Sequence, residues 1–245
     1  MDADDWIEPD LLQSIIQQFS ETHADVIQFG FFYEYPEKSV KISPYYSTKT
    51  LSRNDIEANF ITFWSHNRYS LWMYVFTKSI INSIHFEPTF SGEDISFVLD
   101  VLCSISSISY LSKPLYHYRI SEGSISHKWI DNTIDCRCMI WEHEKQLFDS
   151  FNGNLSDTAY TELAISNYIW AIYHLCSKYC PLSYKEKTTQ LKNAADRMQI
   201  NIQRCKCSLK DHHGLEKLKY AMVKFHLENL LLLIGPLFLR IVRSE

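Results

Sequence analysis

The sequence has little glycine and proline, no excess of positive charge and no long apolar run. Its 245 residues include six glycines and seven prolines, which leaves no flexible linker or low-complexity tract. Asp and Glu outnumber Lys and Arg by 29 to 24, so the net charge is −5. A general nucleic-acid-binding protein needs a basic surface, and we therefore expect no nucleic-acid partner.

Secretory and membrane-spanning segments are also missing from the sequence. The first residues, MDADD, contain neither the basic nor the apolar region of a secretory signal. The apolar run at 230–239 contains Gly235 and Pro236 and is much shorter than the about 20 residues that a spanning helix needs. The seven cysteines are an odd number, which favours reduced thiols. These features together predict a cytoplasmic protein.

The apolar segment near the end of the chain, residues 218–243, has two interpretations. Lysines and arginines flank its apolar run at 230–239 on both sides. It can be a terminal helix that packs on the core, or an amphipathic helix that lies on an anionic membrane surface. The second interpretation predicts a peripheral contact with the inner face of the cell membrane.

The hydrophobic pattern predicts a mixed α/β part over residues 1–128 and a helical part over residues 129–245. Strand-like segments lie at 25–35, 40–46, 71–76 and 108–119, the last interrupted by Pro114. Helical spacing is found at 11–19, 52–64, 91–104, 131–148, 156–179 and 184–198. Ser52 and Asp55 have the spacing of a capping box, which places a helix start there.

An acidic cluster opens the chain at Asp2, Asp4 and Asp5. Carboxylates this close repel one another unless a cation or hydrogen-bond donors compensate them. Divalent ions such as Mg²⁺ and Mn²⁺ bind carboxylate oxygens and phosphate oxygens together. A solvated chain end accounts for the same residues, and the cluster alone does not decide between the two.

Two further clusters combine charged and hydroxyl groups. Glu93 and Asp94 follow Gly92 at the start of a predicted helix, where they are either an acidic cap or a general base in a cleft. Arg119 precedes a loop that contains serines and a glycine. A guanidinium with nearby hydroxyls can hold phosphate oxygens, although an edge strand followed by a turn explains the same pattern.

The order of these clusters resembles the family 2 glycosyltransferases, in particular bacterial enzymes of capsular, exopolysaccharide and lipopolysaccharide synthesis. Five segments match the family's motifs in order: MDADDWIEPD at 1–10, ADVIQFG at 24–30, LWMYVFTKSII at 71–81, GEDISF at 92–97 and PLYHYRISEGSIS at 114–126. The resemblance implies the C-terminal part of a GT-A fold with a mixed sheet, followed by a mostly helical region that no motif matches.

The resemblance also implies an activity. It is the inverting, metal-dependent transfer of a sugar from a nucleoside-diphosphate sugar to a saccharide or lipid-linked acceptor. Asp94 would be the catalytic base, with Glu93 as the alternative, and Asp4 and Asp2 would bind Mn²⁺ or Mg²⁺. The substrate contacts that it implies are Asp2, Arg119, Ser124 and His117 for the donor and Trp72 for the acceptor.

Members of that family begin with a nucleotide-binding half that this sequence does not contain. About three βα units would precede Asp2 in such a protein. We therefore expect a truncated form, inactive as an isolated chain. The alternative function is that of a non-catalytic remnant, which acts as a protein- or membrane-interaction module.

Overall fold

The structure is a computed structural model that describes residues 2–67, 69–82, 84–86, 92–120, 129–151, 157–210 and 212–234. The described residues up to 120, apart from Gly92, form one compact unit, and those from 129 onward form a second. The first unit contains a mixed sheet with helices, and the described part of the second is helical. The predicted α/β class with a helical C-terminal region is confirmed. The predicted boundary at residue 128 lies outside the described residues.

The sheet of the first unit has six strands. They are β1 (Trp6–Ile7), β2 (Val26–Tyr35), β3 (Lys38–Ile42), β4 (Thr50–Ser52), β5 (Tyr74–Phe76) and β6 (Ser107–Arg119). The order is β1-β6-β2-β3, with β4 paired to β6 and β5 paired to β2. Strands β2 and β6 run parallel, whereas the other pairs are antiparallel. The first six residues of β2 are buried, which makes it the central strand of the core.

The helices of the first unit are short. They are α1 (Leu11–Thr22), α2 (Arg53–Ala58), α3 (Phe60–His66), α4 (Lys78–Ile81) and α5 (Glu93–Ser104). The predicted capping box is confirmed, because the Ser52 hydroxyl accepts from the Asp55 N–H and the Asp55 carboxylate accepts from the Ser52 N–H. The helix predicted at 52–64 divides at Asn59, whose side-chain amide donates to the Asp55 carbonyl. Such local hydrogen bonds compete with the helical pattern.

Strand β6 is continuous where the sequence predicted a break at Pro114. The partner of Val26 is Ile108 and the partner of Phe31 is Tyr116, so five steps along β2 correspond to eight along β6. The three extra residues form a bulge where Pro114 faces Gly30. A Cβ at Gly30 would lie 2.8 Å from the Ile42 carbonyl oxygen, which is too close. The strands approach each other so closely at this bulge that the position requires glycine.

The second unit consists, in its described part, of helices around a central one. They are α6 (Thr133–Asp149), α7 (Asp157–Cys176), α8 (Tyr184–Arg197), α9 (Ile200–Lys206) and α10 (Gly214–Lys224), and residues 228–234 are also helical. Helix α7 packs against the other four and buries Leu163, Ala164 and Ile165 completely. The residues that are described include no helix long and apolar enough to cross a membrane. All seven cysteines are free.

Candidate active site

Asp5 connects the acidic cluster to strand β6 of the sheet through hydrogen bonds. Its side chain is buried, and its carboxylate accepts a hydrogen bond from the Tyr116 hydroxyl at 2.7 Å and another from the Arg119 N–H at 2.9 Å. The Asp5 N–H in turn donates to the Asp2 carbonyl at 3.3 Å, which folds the cluster into a turn before β1. Asp5 is therefore a positioning residue that fixes Asp2 and Asp4 beside β6, a role that the sequence did not reveal.

Trp72 is held in a group of aromatic rings. Its ring stacks on Tyr116 at 4.7 Å and on Tyr118 at 5.4 Å, and it meets Phe31 edge-on at 4.6 Å. Paired residues of neighbouring strands share one face of a sheet, and the bulge in β6 is what brings Tyr116 to the same face as Phe31. The half-buried Trp72 ring is therefore fixed on several sides and offers an apolar surface to a ligand.

Asp94 lies half-buried in the first turn of α5. Burial raises the pKa of its carboxyl group, and the nearby Glu93 and Asp2 carboxylates raise it further, whereas a hydrogen bond from the Leu71 N–H acts in the opposite direction. A carboxylate with a raised pKa is a stronger proton acceptor, which suits a general base. Glu93 has a buried oxygen, Oε2, without a hydrogen-bond partner among the described residues.

A cavity of about 570 Å³ brings these side chains together. Asp2, Trp72, Asp94 and Tyr116 line it, and the rest of its described wall is apolar or aromatic, formed by Ile7, Leu11, Phe29, Leu71, Tyr74, Val75, Phe76 and Phe97. Its size is within the range of small-ligand sites, and a few polar groups in an apolar wall are typical of such sites. Three residues predicted for metal, base and acceptor thus meet in one cavity, together with Tyr116, which the sequence had placed in a motif without a role.

The acidic cluster offers a divalent ion only a small number of ligands. Asp2 and Asp4 are both exposed, and only Asp2 lines the cavity. No group of three or more His, Cys, Asp and Glu side chains that could hold a metal occurs within the described ranges. Mg²⁺ commonly takes one or two protein carboxylates and completes its shell with phosphate oxygens and water. The two aspartates therefore fit an ion that arrives with a diphosphate.

The other predicted donor contacts lie elsewhere on the sheet or outside the description. His117 is stacked between Trp6 and Phe32, and its two ring nitrogens hydrogen-bond to the carboxylates of Glu34 and Glu8 at 2.7 and 3.1 Å. The exposed Arg119 guanidinium lies 5.4 Å from the centre of the Trp6 ring. Ser124 lies outside the described residues, so its place is not given by the structure.

Comparison with known proteins identifies one curated relative. The chain is 27% identical over 139 residues to glycosyltransferase GlyA of Streptococcus pneumoniae, which covers 54% of this chain and 20% of GlyA. The chain thus spans about a fifth of that relative's length. No family model matches the sequence.

Solved structures with a similar fold include S. aureus TarS 1–349 in complex with UDP. The TM-score is 0.52 at 16% identity, over 93% of this chain and 65% of that one. TarS 1–349 in complex with UDP-GlcNAc aligns over 93% and 66% with a TM-score of 0.48 and 16% identity. The predicted resemblance is confirmed at this level: the chain is similar in sequence to a glycosyltransferase, and its fold is similar to that of TarS 1–349.

Proposed function

We propose that the chain contributes the base and the acceptor site of a glycosyltransferase that acts in the synthesis of a surface polysaccharide. The reaction transfers a sugar from a nucleoside-diphosphate sugar to a hydroxyl of a saccharide or lipid-linked acceptor. The observation that carries the proposal is the single cavity lined by Asp2, Trp72 and Asp94, which come from three separate sequence segments. The similarity to GlyA and the fold of TarS support the same class of reaction.

Asp94 is the general base in this proposal. Its carboxylate takes the proton of the acceptor hydroxyl, whose oxygen then forms a bond to the anomeric carbon of the donor sugar. The bond from that carbon to the diphosphate oxygen breaks, and the nucleoside diphosphate leaves with the electron pair. Attack from the side opposite the leaving group inverts the anomeric configuration. Trp72 supplies the flat apolar surface on which the acceptor sugar lies, supported by Tyr116 and Tyr118.

In this proposal the nucleoside-diphosphate sugar binds next to the acidic cluster. Asp2 and Asp4 would hold Mn²⁺ or Mg²⁺, which stabilises negative charge on a leaving diphosphate when it is bound. A UDP sugar is the first donor to test, because the structural neighbour TarS is in complex with UDP. Arg119 remains a proposed contact for the diphosphate, as do Ser124 and His117, although both nitrogens of His117 are already bonded to carboxylates.

The test is transfer by the protein expressed from its complete reading frame, with UDP-sugars and Mn²⁺. Asp94→Asn removes the proton acceptor, so we expect kcat to fall by about 10²–10⁴-fold, the usual contribution of a general base. Glu37→Gln is the matched control, since Glu37 is an exposed acid at the β2–β3 turn and does not line the cavity. Full activity of Asp94→Asn would refute the assignment of the base.

The metal requires a separate measurement. Chelation of divalent ions should abolish transfer, and Asp4→Asn and Asp2→Asn should raise the Mn²⁺ concentration needed for half-maximal activity. Trp72→Ala should instead raise KM for the acceptor and leave the Mn²⁺ dependence unchanged. A transfer rate that is insensitive to chelation would remove the metal from the proposal and leave the role of Asp94 intact.

A second proposed role is contact with the cytoplasmic face of the cell membrane. Six large apolar side chains are exposed at the end of the described chain: Leu218, Phe225, Leu227, Leu230, Leu233 and Ile234. Basic residues stand on both sides of this segment in the sequence, including Lys217 before it and Arg240 after it. Exposed apolar groups next to basic residues suit the surface of an anionic membrane. Residues 235–243 of the predicted segment lie outside the described residues.

Vesicle sedimentation tests this role. The protein should sediment with vesicles that contain phosphatidylglycerol, and the pair Leu230→Ser and Leu233→Ser should reduce the bound fraction. The pair Leu12→Ser and Ile16→Ser is a matched control, because these two residues are also exposed and lie on α1. Sedimentation that is equal for all three proteins would contradict the contact. Binding without transfer from any donor would favour the non-catalytic module.

A further inference from the structure

The first strand of the sheet is short and poorly buried. Strand β1 consists of Trp6 and Ile7, which pair with His117 and Tyr116 of β6. Strands usually have roughly three to ten residues, so this ladder is shorter than the usual one. Trp6 and Ile7 are 39% and 40% exposed, which means that burial holds them only in part. The attachment of β1 to the sheet therefore depends on side-chain contacts.

His117 supplies such contacts to β1 and to the residue that follows it. Its ring stacks on Trp6, with the ring centres 4.8 Å apart, and its other side stacks on Phe32 of β2 at 4.6 Å. Nε2 of the ring lies 3.1 Å from a carboxylate oxygen of Glu8, and Nδ1 lies 2.7 Å from one of Glu34. One side chain of β6 thus joins β1 and its neighbour Glu8 to the two central strands of the sheet.

The hydrogen bonds of His117 require a charged ring. A neutral imidazole has one nitrogen that donates and one that accepts, whereas the imidazolium donates from both. Carboxylates accept, so a ring that is bonded to two of them carries both protons. The hydrogen bond from His117 lowers the pKa of the Glu34 carboxyl group, which also accepts from the Ser39 hydroxyl. The faces of Trp6 and Phe32 suit a cation between them, because the electron-rich face of an aromatic ring attracts positive charge.

These contacts favour a role within the sheet over a direct contact with the donor. Both ring nitrogens are bonded, so the ring has no further N–H for a diphosphate. Glu8 and Glu34 would also repel a diphosphate at this position. The segment that His117 holds follows directly on the acidic cluster, in which the Asp5 N–H donates to the Asp2 carbonyl. The position of β1 therefore bears on the position of the aspartates before it.

We propose that His117 is a positioning residue for the acidic cluster. As an imidazolium it holds Trp6 and Glu8 against the sheet, and the position of β1 keeps Asp2 and Asp4 beside β6. The part of this inference that concerns a metal rests on the proposed function, whereas the attachment of β1 does not. Loss of the two hydrogen bonds should therefore loosen β1 first and weaken metal binding as a consequence.

Hydrogen exchange on the whole protein tests the attachment of β1. His117→Phe keeps a flat ring between Trp6 and Phe32 but removes both donors. The amides of residues 2–10 should exchange about tenfold faster, as the loss of a hydrogen bond between charged groups predicts, and those of α5 should be unchanged. His66→Phe is the matched control, because His66 is exposed at the end of α3 and does not line the cavity. Unchanged exchange of residues 2–10 in His117→Phe overturns the proposal.

Mn²⁺ binding, followed by the electron paramagnetic resonance of the free ion, tests the effect on the aspartates. His117→Phe should bind Mn²⁺ about tenfold more weakly, at the lower end of the usual effect of residues that support metal ligands, with kcat at saturating Mn²⁺ almost unchanged. Faster exchange with unchanged Mn²⁺ affinity would overturn the proposal, since β1 would then not position the aspartates. A higher KM for the donor with normal exchange and normal Mn²⁺ affinity would overturn it in favour of a direct donor contact.

A second pair of variants protects the test against misfolding of His117→Phe. Glu8→Gln keeps an oxygen that accepts from the ring, so exchange and Mn²⁺ affinity should stay within about threefold of the original protein. Glu8→Leu removes the acceptor and should reproduce the effects of His117→Phe. Equal behaviour of the two Glu8 variants would overturn the proposal, because the bond to the ring would then not hold β1. If the original protein binds no Mn²⁺, the proposed metal site is wrong, and the exchange data still decide whether His117 holds β1.

Discussion

The two units differ in how two of their carboxylates, Asp94 and Glu228, are neutralised. Asp2 and Asp94 line the cavity of the first unit without a cationic partner among the described residues, and burial together with like charge raises the pKa of Asp94. Glu228 is buried in the second unit and is paired with the buried Arg204, whose Nη2 donates to Glu228 Oε1. A carboxylate without a counter-charge costs stability but remains free to take a proton or bind a cation, whereas a paired one is held in place. The contrast separates a carboxylate without a counter-charge in the first unit from a paired one in the second.

The largest expected effect on stability comes from breaking the buried ion pair of Arg204 and Glu228 in the second unit. Glu228→Leu leaves the Arg204 charge buried alone, and the free energy of unfolding should fall by about 3 kcal/mol or more. The double variant Arg204→Met and Glu228→Leu removes both charges and should be within about 1 kcal/mol of the original protein. Urea denaturation followed by circular dichroism measures both. A Glu228→Leu protein as stable as the double variant would show that the buried Arg204 charge does not need Glu228 as its partner.

A smaller effect is expected inside the acidic cluster itself, where the Asp5 side chain is hydrogen-bonded and the Asp4 side chain has no hydrogen bond to the part of the chain that the structure describes. Asp5→Ala leaves the Tyr116 hydroxyl and the Arg119 N–H without their acceptor, so a loss of about 2 kcal/mol is expected. Asp4→Ala changes an exposed side chain and should cost less than about 0.5 kcal/mol. Thermal denaturation distinguishes the two. Equal losses would mean that Asp5 does not position the cluster.

The smallest expected effect is the contribution of Asp94 to the pH dependence of stability. We predict the direction of this contribution. The pKa of Asp94 is raised in the folded protein, so its stabilising contribution is present at pH values below its unfolded pKa and is lost as pH rises through its folded pKa. Asp94→Asn should therefore unfold at a higher temperature than the original protein at pH 7, with the difference shrinking toward pH 3. A variant that is less stable at pH 7 would contradict the unpaired state of this carboxylate.

Features that depend on neighbouring residues were predictable from the sequence. The capping box at Ser52 and Asp55 needs only a spacing of three residues, and the β2–β3 hairpin needs only two strand-like segments that are close together in the chain. The cavity residues Asp2, Trp72 and Asp94 were found through motifs and not through local pattern. Tyr116 stood inside one of those motifs, so a signal for it existed.

Features that depend on distant contacts were not predictable. Pro114 taken alone predicts a strand break. Its place in β6 depends on Gly30, which lies far away in the chain and leaves room for the close approach of β2 and β6 at this point. Asp5 gains its role from Tyr116 and Arg119, more than a hundred residues later. The pairing of Arg204 with Glu228 likewise joins two helical segments whose sequences carry no motif.

The number of residues in the bulge at Pro114 decides which side chains of β6 face the cavity of the first unit, and substitutions do not change this number. Side chains alternate between the faces of a strand, so the deletion of one residue from this bulge would exchange the faces of everything after it. His117 would turn toward Trp72, and Tyr116 would turn away from Asp5. One lost codon could thus replace the aromatic lining of the cavity with an imidazole while every residue of the later motif stayed the same. The side of the sheet on which Tyr116 lies therefore depends on the number of residues in this bulge.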